Sequence, residues 1–209
     1  MTAPIDLAGL LTRTRIVPVL VVDDLSSAVP LARALVKGGL PVLEITMRTP
    51  IALDVVRAMS AEVEGAVVGV GTVLTPAQLA EAEAAGAAFA VAPGATDRLL
   101  DAAGAVPLLP GAATPSESMR LLERGYTLQK FFPAEPSGGA AYLGALASPL
   151  PQVRFCPTGG ITAETAGDYL RLRNVAAVGG SWMAPARLVS TADWFGIERL
   201  ARQAVHALG

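Results

Sequence analysis

The sequence is poor in the residues on which most site chemistry is built. Its 209 residues include one cysteine, Cys156, and one histidine, His206. A lone cysteine excludes an internal disulfide and any multi-cysteine metal set. A lone histidine argues against Ser-His-Asp, Cys-His and multi-histidine metal chemistry. Charge is sparse as well: charged side chains make up 16%, the formal net charge is -2, and the 16 Lys and Arg residues are scattered. Neither a nucleic-acid face nor a polybasic membrane patch is expected. No apolar run approaches the roughly 18 residues of a spanning helix. Asp6 stands where a secretion signal carries basic residues, and Arg13 and Arg15 interrupt the apolar stretch that follows. A cytoplasmic protein is expected. Lysine is nearly as rare as cysteine, with Lys37 and Lys130 alone, so each amine can be weighed individually.

What is abundant is apolar. Hydrophobic residues make up 52%, which argues against disorder and supplies a sizeable core at this length. Short runs rich in Val and Leu recur at 16–22, 42–46, 67–70, 89–92, 106–109, 128–132, 153–156 and 175–178. They show little polar alternation, as do strands of a parallel sheet covered on both faces. Helical spacing lies between them. Leu25, Val29, Ala32, Leu35 and Val36 form one stripe, closed by Gly38 and Gly39. Thr49 with Pro50, Thr75 with Pro76 and Thr114 with Pro115 each place an N-cap threonine before a first-turn proline, and Glu117 completes a capping box. Eight strands alternating with helices predict an α/β fold: a single (β/α)8 TIM barrel with a short N-terminal helix, residues 5–11, closing its lower end. An open doubly wound sheet is the alternative. With no linker or composition shift, residues 1–209 are expected to form one catalytic domain.

In such a barrel the chemistry sits at the C-terminal ends of strands. The polar residues there are Glu44, Thr46 and Arg48, then Thr72, Thr96 and Lys130, then Thr158 with Gly159 and Gly160, and Gly179 and Gly180 with Ser181. Lys130 stands in the run Leu128-Gln129-Lys130-Phe131-Phe132-Pro133. An amine among apolar neighbours loses hydration of its ammonium form, which frees it to attack a carbonyl. The alternative is a lysine that snorkels out or makes an ion pair. Lys37, at a helix end before Gly38, suits the helix dipole, and a solvated role is expected. Glu44 is the one acid inside an expected strand, and buried carboxylates are rare unless paired or used. The second and sixth strands share a layer of the barrel interior, so Glu44 and Lys130 are expected to face each other. A carboxyl so placed shuttles protons in imine chemistry; a structural ion pair is the alternative. Arg48 is either a clamp for a substrate carboxylate or a solvated loop residue. The two glycine pairs sit where the last two loops of many barrels bind phosphate through backbone N–H groups. Cys156 reads as a buried small hydrophobe, and Trp182 and Trp194 as packing residues.

Five pieces carry a family resemblance. They are Leu43-Glu44-Ile45-Thr46-Met47-Arg48-Thr49, Gly69-Val70-Gly71-Thr72-Val73-Leu74, Lys130-Phe131-Phe132-Pro133-Ala134-Glu135, Pro157-Thr158-Gly159-Gly160-Ile161 and Gly179-Gly180-Ser181-Trp182. In order and spacing the chain resembles the bacterial KDPG/KHG aldolases from about Arg15 onward; KDPG is 2-keto-3-deoxy-6-phosphogluconate and KHG is 4-hydroxy-2-oxoglutarate. The resemblance implies a class I aldolase, a carbon-carbon lyase needing no metal or other cofactor, on a (β/α)8 barrel and usually a homotrimer. It implies Lys130 as the Schiff-base lysine and Glu44 as general acid/base. It further implies Arg48 and Thr72, with Thr158 beside them, on the pyruvate carboxylate, and Pro93 and Phe132 lining the pocket. Gly159, Gly160, Gly179, Gly180 and Ser181 would hold phosphate. The implied reaction cleaves KDPG to pyruvate and glyceraldehyde 3-phosphate in the Entner-Doudoroff pathway.

The residues alone leave rivals. A phosphosugar isomerase or epimerase would use Glu44 as base with Lys130 as an electrostatic partner and no covalent intermediate. A phosphate-ligand binding protein would bind without turnover. Within the aldolase reading, the substrate is a small 2-oxo acid, and KDPG, its galactonate epimer and unphosphorylated 4-hydroxy-2-oxoglutarate remain alternatives.

Overall fold

The computed structural model describes residues 5–208; the parts of the single-domain expectation that fall on 1–4 and 209 lie outside them. The elements are α1 (Leu7–Thr14), β1 (Ile16–Leu20), a 3-10 turn (Leu25–Ser27), α2 (Ala28–Lys37), β2 (Val42–Thr46), α3 (Ala52–Glu62), β3 (Val67–Gly71), α4 (Pro76–Ala84), β4 (Ala90–Val91) and α5 (Asp97–Asp101). They continue with β5 (Leu108–Leu109), β6 (Gly111–Ala112), α6 (Pro115–Glu123), β7 (Leu128–Phe131), α7 (Gly139–Ala145), β8 (Arg154–Pro157), α8 (Ala166–Leu170), β9 (Val178–Gly180), α9 (Ala186–Ser190) and α10 (Trp194–Leu208).

The expected closed eight-stranded barrel is corrected by the strand pairing. Among the described residues, nine strands divide between a parallel six-stranded sheet, in the order β5-β4-β3-β2-β1-β9, and a three-stranded sheet, β6-β7-β8. The chain changes partner at Pro110: β5 before it pairs with β4, and β6 after it pairs with β7, whose Lys130 N–H donates to the Pro110 carbonyl at 2.8 Å. On the other side, β8 and β9 are linked through isolated bridges, Phe155 with Val175 and Thr158 with Gly179. The larger sheet is not doubly wound either, because β1 to β5 are consecutive neighbours with no reversal. Two run boundaries also differ. β6 was not expected, and the last strand starts at Val178, so Gly179 and Gly180 lie inside it, opposite Val17 and Pro18.

Capping explains where the helices near the site begin. Thr75 accepts from the Gln78 N–H at 3.2 Å, Thr114 from the Glu117 N–H at 3.3 Å, and Pro76 and Pro115 open α4 and α6. Thr49 does something else. Its hydroxyl donates to the Val22 carbonyl at 2.8 Å, and α3 starts three residues later without a side-chain cap. Thr49 thus ties the loop carrying Arg48 to the segment after β1.

Two apolar clusters form the core. The helices pack Leu31, Leu35, Val55, Val56 and Met59 onto the outer faces of the sheets. A second cluster fills the space between the sheets: Leu7 and Leu11 of α1 meet Val17, Val42, Phe89, Val91, Leu109 and Cys156. Asp6 caps α1, accepting from the Gly9 N–H at 2.9 Å. Each such buried leucine contributes about 2 kcal/mol. α1 thereby closes one end of the interior and leaves the C-terminal strand ends for the site.

Candidate active site

Glu44 and Lys130 are brought together across the two sheets. Glu44, in β2, lies opposite Val19 of β1 and Gly69 of β3. Lys130, in β7, lies opposite Gly111 of β6 and Cys156 of β8. The Lys130 Nζ donates to Glu44 Oε1 at 3.2 Å, and the two residues are 5% and 3% exposed. Lys130 Nζ also stands 5.2 Å from the centroid of the Phe132 ring, a cation–π distance. Desolvating two charges offsets much of their attraction, so stability alone is a weak reason for such a pair. An ammonium and a carboxylate in contact, shielded from water, can exchange one proton and become an amine and a carboxylic acid. Cys156 sits beside them as a spectator. Burial first, and the Glu44 charge second, push its thiol up to about 12.

A cavity of about 1320 Å³ adjoins the pair through Phe132 and is lined by Arg48, Phe132, Thr158, Gly159, Gly160, Gly179, Gly180 and Ser181 among others, with neither Lys130 nor Glu44 on its wall. Phe132 connects the two levels, because its ring lies under the Lys130 ammonium and on the cavity wall. Two glycines are required here by their surroundings. A Cβ on Gly71 would stand 2.7 Å from Glu44 Cγ, and one on Gly179 would stand 3.1 Å from Thr158 Cγ2. Gly71 thus leaves room for the carboxylate, and Gly179 for the threonine. Among the described residues, no three His, Cys, Asp or Glu side chains group as a metal set.

The remaining expected residues are placed unevenly. Pro93 lines a separate cavity of about 210 Å³, which shares the Phe132 wall. Thr72 lines neither cavity, but it follows Gly71 directly and holds a left-handed φ of 63°, a conformation strained for a β-branched residue. Thr46 is structural, its hydroxyl donating to the Leu20 carbonyl at 3.0 Å, and Thr96 caps α5. Glu135 and Arg187 also line the large cavity, and sequence reasoning assigned neither a role. Glu135 stands within the 130–135 motif; Arg187 lay in no motif and carried no signal.

With this geometry in hand, comparison with known proteins gives one consistent result. The profile of the KDPG and KHG aldolase family matches residues 7–200. The 2-dehydro-3-deoxy-phosphogluconate aldolase of Pseudoalteromonas atlantica is 53% identical over 192 residues, 91% of this chain and 89% of that protein. The KHG/KDPG aldolase of Escherichia coli K12 is 52% identical over 199 residues, 94% and 93% of the two chains. Among solved structures, the KDPG aldolase of Legionella pneumophila, with pyruvate captured at low pH as a covalent carbinolamine, superimposes with a TM-score of 0.92 at 42% identity, covering 97% of this chain and 98% of that one. The aldolase of Zymomonas mobilis ZM4 with 3-phosphoglycerate gives 0.89 at 46% identity, covering 94% of each. These matches span nearly the whole length on both sides, and the chain belongs to the KDPG and KHG aldolase family.

Proposed function

We propose that this aldolase cleaves 2-keto-3-deoxy-6-phosphogluconate to pyruvate and glyceraldehyde 3-phosphate, and also splits 4-hydroxy-2-oxoglutarate to pyruvate and glyoxylate, through an imine on Lys130. The observation that carries the reading is the buried Lys130–Glu44 contact at 3.2 Å, joined through the Phe132 ring to a cavity that carries Arg48 and both glycine pairs. Glu44 takes the ammonium proton, and the free amine attacks the C2 ketone. Glu44 returns that proton to the carbinolamine hydroxyl, which leaves as water and creates a protonated imine. The imine draws the electrons of the C3–C4 bond while Glu44 removes the C4 hydroxyl proton, so the aldehyde departs and an enamine remains. Glu44 then protonates C3, and water hydrolyses the pyruvate imine to free Lys130.

Arg48, Thr72 and Thr158 are assigned to the pyruvate carboxylate, Pro93 and Phe132 to the pocket wall, and Gly159, Gly160, Gly179, Gly180 and Ser181 to the phosphate. The covalent pyruvate in the Legionella protein and the 3-phosphoglycerate in the Zymomonas protein support the two ends of this assignment. Residues 1–209 acting as one catalytic domain, a homotrimer, a cytoplasmic setting and a place in the Entner-Doudoroff pathway complete the proposal. Incubation with pyruvate and borohydride tests it. A stable mass increase on Lys130 is expected, lost in Lys130→Ala and kept in Lys37→Ala. Turnover without a trapped adduct would overturn it in favour of a non-covalent isomerase.

A further inference from the structure

The two glycine segments facing the cavity are fixed in different ways. Gly179 and Gly180 lie within β9, and their ladder to Val17 and Pro18 holds them. Gly159 and Gly160 lie beyond the end of β8, with φ of 106° and 81°. Their support comes from the segment after β7. The Ala134 N–H donates to the Thr158 carbonyl at 2.8 Å, and the Glu135 N–H to the Gly159 carbonyl at 3.0 Å. A Cβ on Gly160 would stand 2.8 Å from Glu135 Cβ, so the glutamate stem packs against that glycine. The Glu135 carboxylate is held from behind: the Tyr169 hydroxyl, on α8, donates to Glu135 Oε1 at 2.6 Å, and Tyr169 is 1% exposed. Glu135 lines the same cavity that the glycines do. A carboxylate free to swing there would oppose an incoming phosphate.

We propose that Glu135 and Tyr169 are a positioning pair for the phosphate end of the substrate. Tyr169 draws the Glu135 carboxylate back from the anion, and Glu135 holds the 158–160 segment in its left-handed conformation. Neither residue touches the reacting carbons, so the pair governs affinity for the phosphorylated substrate and its preference over the unphosphorylated one. The proposal rests on reading these segments as a phosphate site, and it adds the residues that hold them.

The test measures kcat and KM for KDPG and for 4-hydroxy-2-oxoglutarate, with thermal melting to confirm folding. Tyr169→Phe keeps the ring and removes one donor. It is expected to raise KM for KDPG by roughly three- to tenfold, the worth of one ordinary intramolecular hydrogen bond, with kcat changed less than twofold. The KM for 4-hydroxy-2-oxoglutarate is expected to stay within twofold. Glu135→Ala, at an exposed position, is expected to raise the KDPG KM similarly. Glu135→Gln, which still accepts from Tyr169 and carries no charge, is expected to rescue it. Equal effects on both substrates, a loss confined to kcat, or a glutamine variant as impaired as the alanine one would overturn the proposal. Competitive inhibition of the wild type by inorganic phosphate is read separately. Its absence would fault the phosphate reading itself, whereas inhibition together with an unaffected Tyr169→Phe would fault the positioning pair alone.

Discussion

Gly71 and Glu44 compete for one space, and the enzyme resolves the competition by omitting a side chain. The backbone of Gly71 in β3 has an ordinary φ, but an added Cβ would stand 2.7 Å from Glu44 Cγ and 2.8 Å from its carboxyl carbon. Gly71→Ala therefore acts on Glu44 rather than on the backbone. A displaced carboxylate is expected to lower kcat by roughly ten- to a hundredfold, while Lys130 still forms a trappable adduct with pyruvate. Steady-state kinetics beside borohydride trapping checks this. A kcat within twofold of wild type would show that Glu44 tolerates displacement.

The Lys130–Glu44 pair makes a stability prediction distinct from its catalytic one. Lys130→Met leaves a carboxylate buried at 3% exposure without its partner. Such uncompensated burial costs about 3–5 kcal/mol, and a marked fall in Tm is expected together with an activity loss of at least about 10³-fold. Adding Glu44→Gln removes the buried charge. The double variant is expected to recover most of the Tm and none of the activity. Calorimetry on the two variants checks this, and a double variant as unstable as the single one would place the lost stability in packing.

Much of this site was legible in the sequence, because its chemistry depends on residue types that are scarce. With two lysines and one acid within an expected strand, the Lys130–Glu44 pairing followed from composition and parity, and the five motifs placed the glycines. The closed barrel was misread for a physical reason. Apolar runs count strands, but they do not report whether ladders join. The two-residue strands on either side of Pro110 belong to different sheets, and the run at 106–109 stops short of the second of them. Thr49 was misread as a cap because threonine before proline is a local signal, and its hydroxyl is taken by the distant Val22 carbonyl instead. Tyr169 carried no local signal at all, since its partner Glu135 lies 34 residues away.

Cys156 gives a pH prediction with a definite sign. Burial raises its thiol from an ordinary value of 9.0 to about 12. The unfolded chain loses this proton first, so the stabilisation is complete below pH 9 and is lost as pH rises through about 12. Between pH 9 and 11 the wild type should therefore lose stability faster than Cys156→Ala, by up to roughly 1.4 kcal/mol per pH unit. Denaturant titrations at several pH values measure the difference in slope. The same burial predicts that iodoacetamide at pH 8 labels the thiol only after unfolding. Rapid labelling of the native protein would refute the inert role given to this cysteine.

Glu117 supplies the opposite sign at the acid end. Its carboxylate accepts from the Ala113 and Thr114 N–H groups at 2.8 and 2.9 Å, and the Ala113 bond chiefly holds it below its ordinary value of 4.5. The contribution is present above that ordinary value and is lost as pH falls through the lowered one. At pH 7, Glu117→Gln is expected to cost about 0.5–1 kcal/mol, because an amide oxygen caps more weakly than a carboxylate. In acid, as pH falls through the lowered value, the wild-type carboxyl becomes protonated, and the gap between the two proteins should close. Thr114→Ala removes the reciprocal half of the capping box and is expected to cost about 1 kcal/mol at both pH values, since a hydroxyl does not titrate there. If the Glu117 variant shows the same deficit at pH 7 and in acid where the wild-type carboxyl is protonated, the bond is one of shape rather than charge, and the electrostatic account of how α6 begins fails.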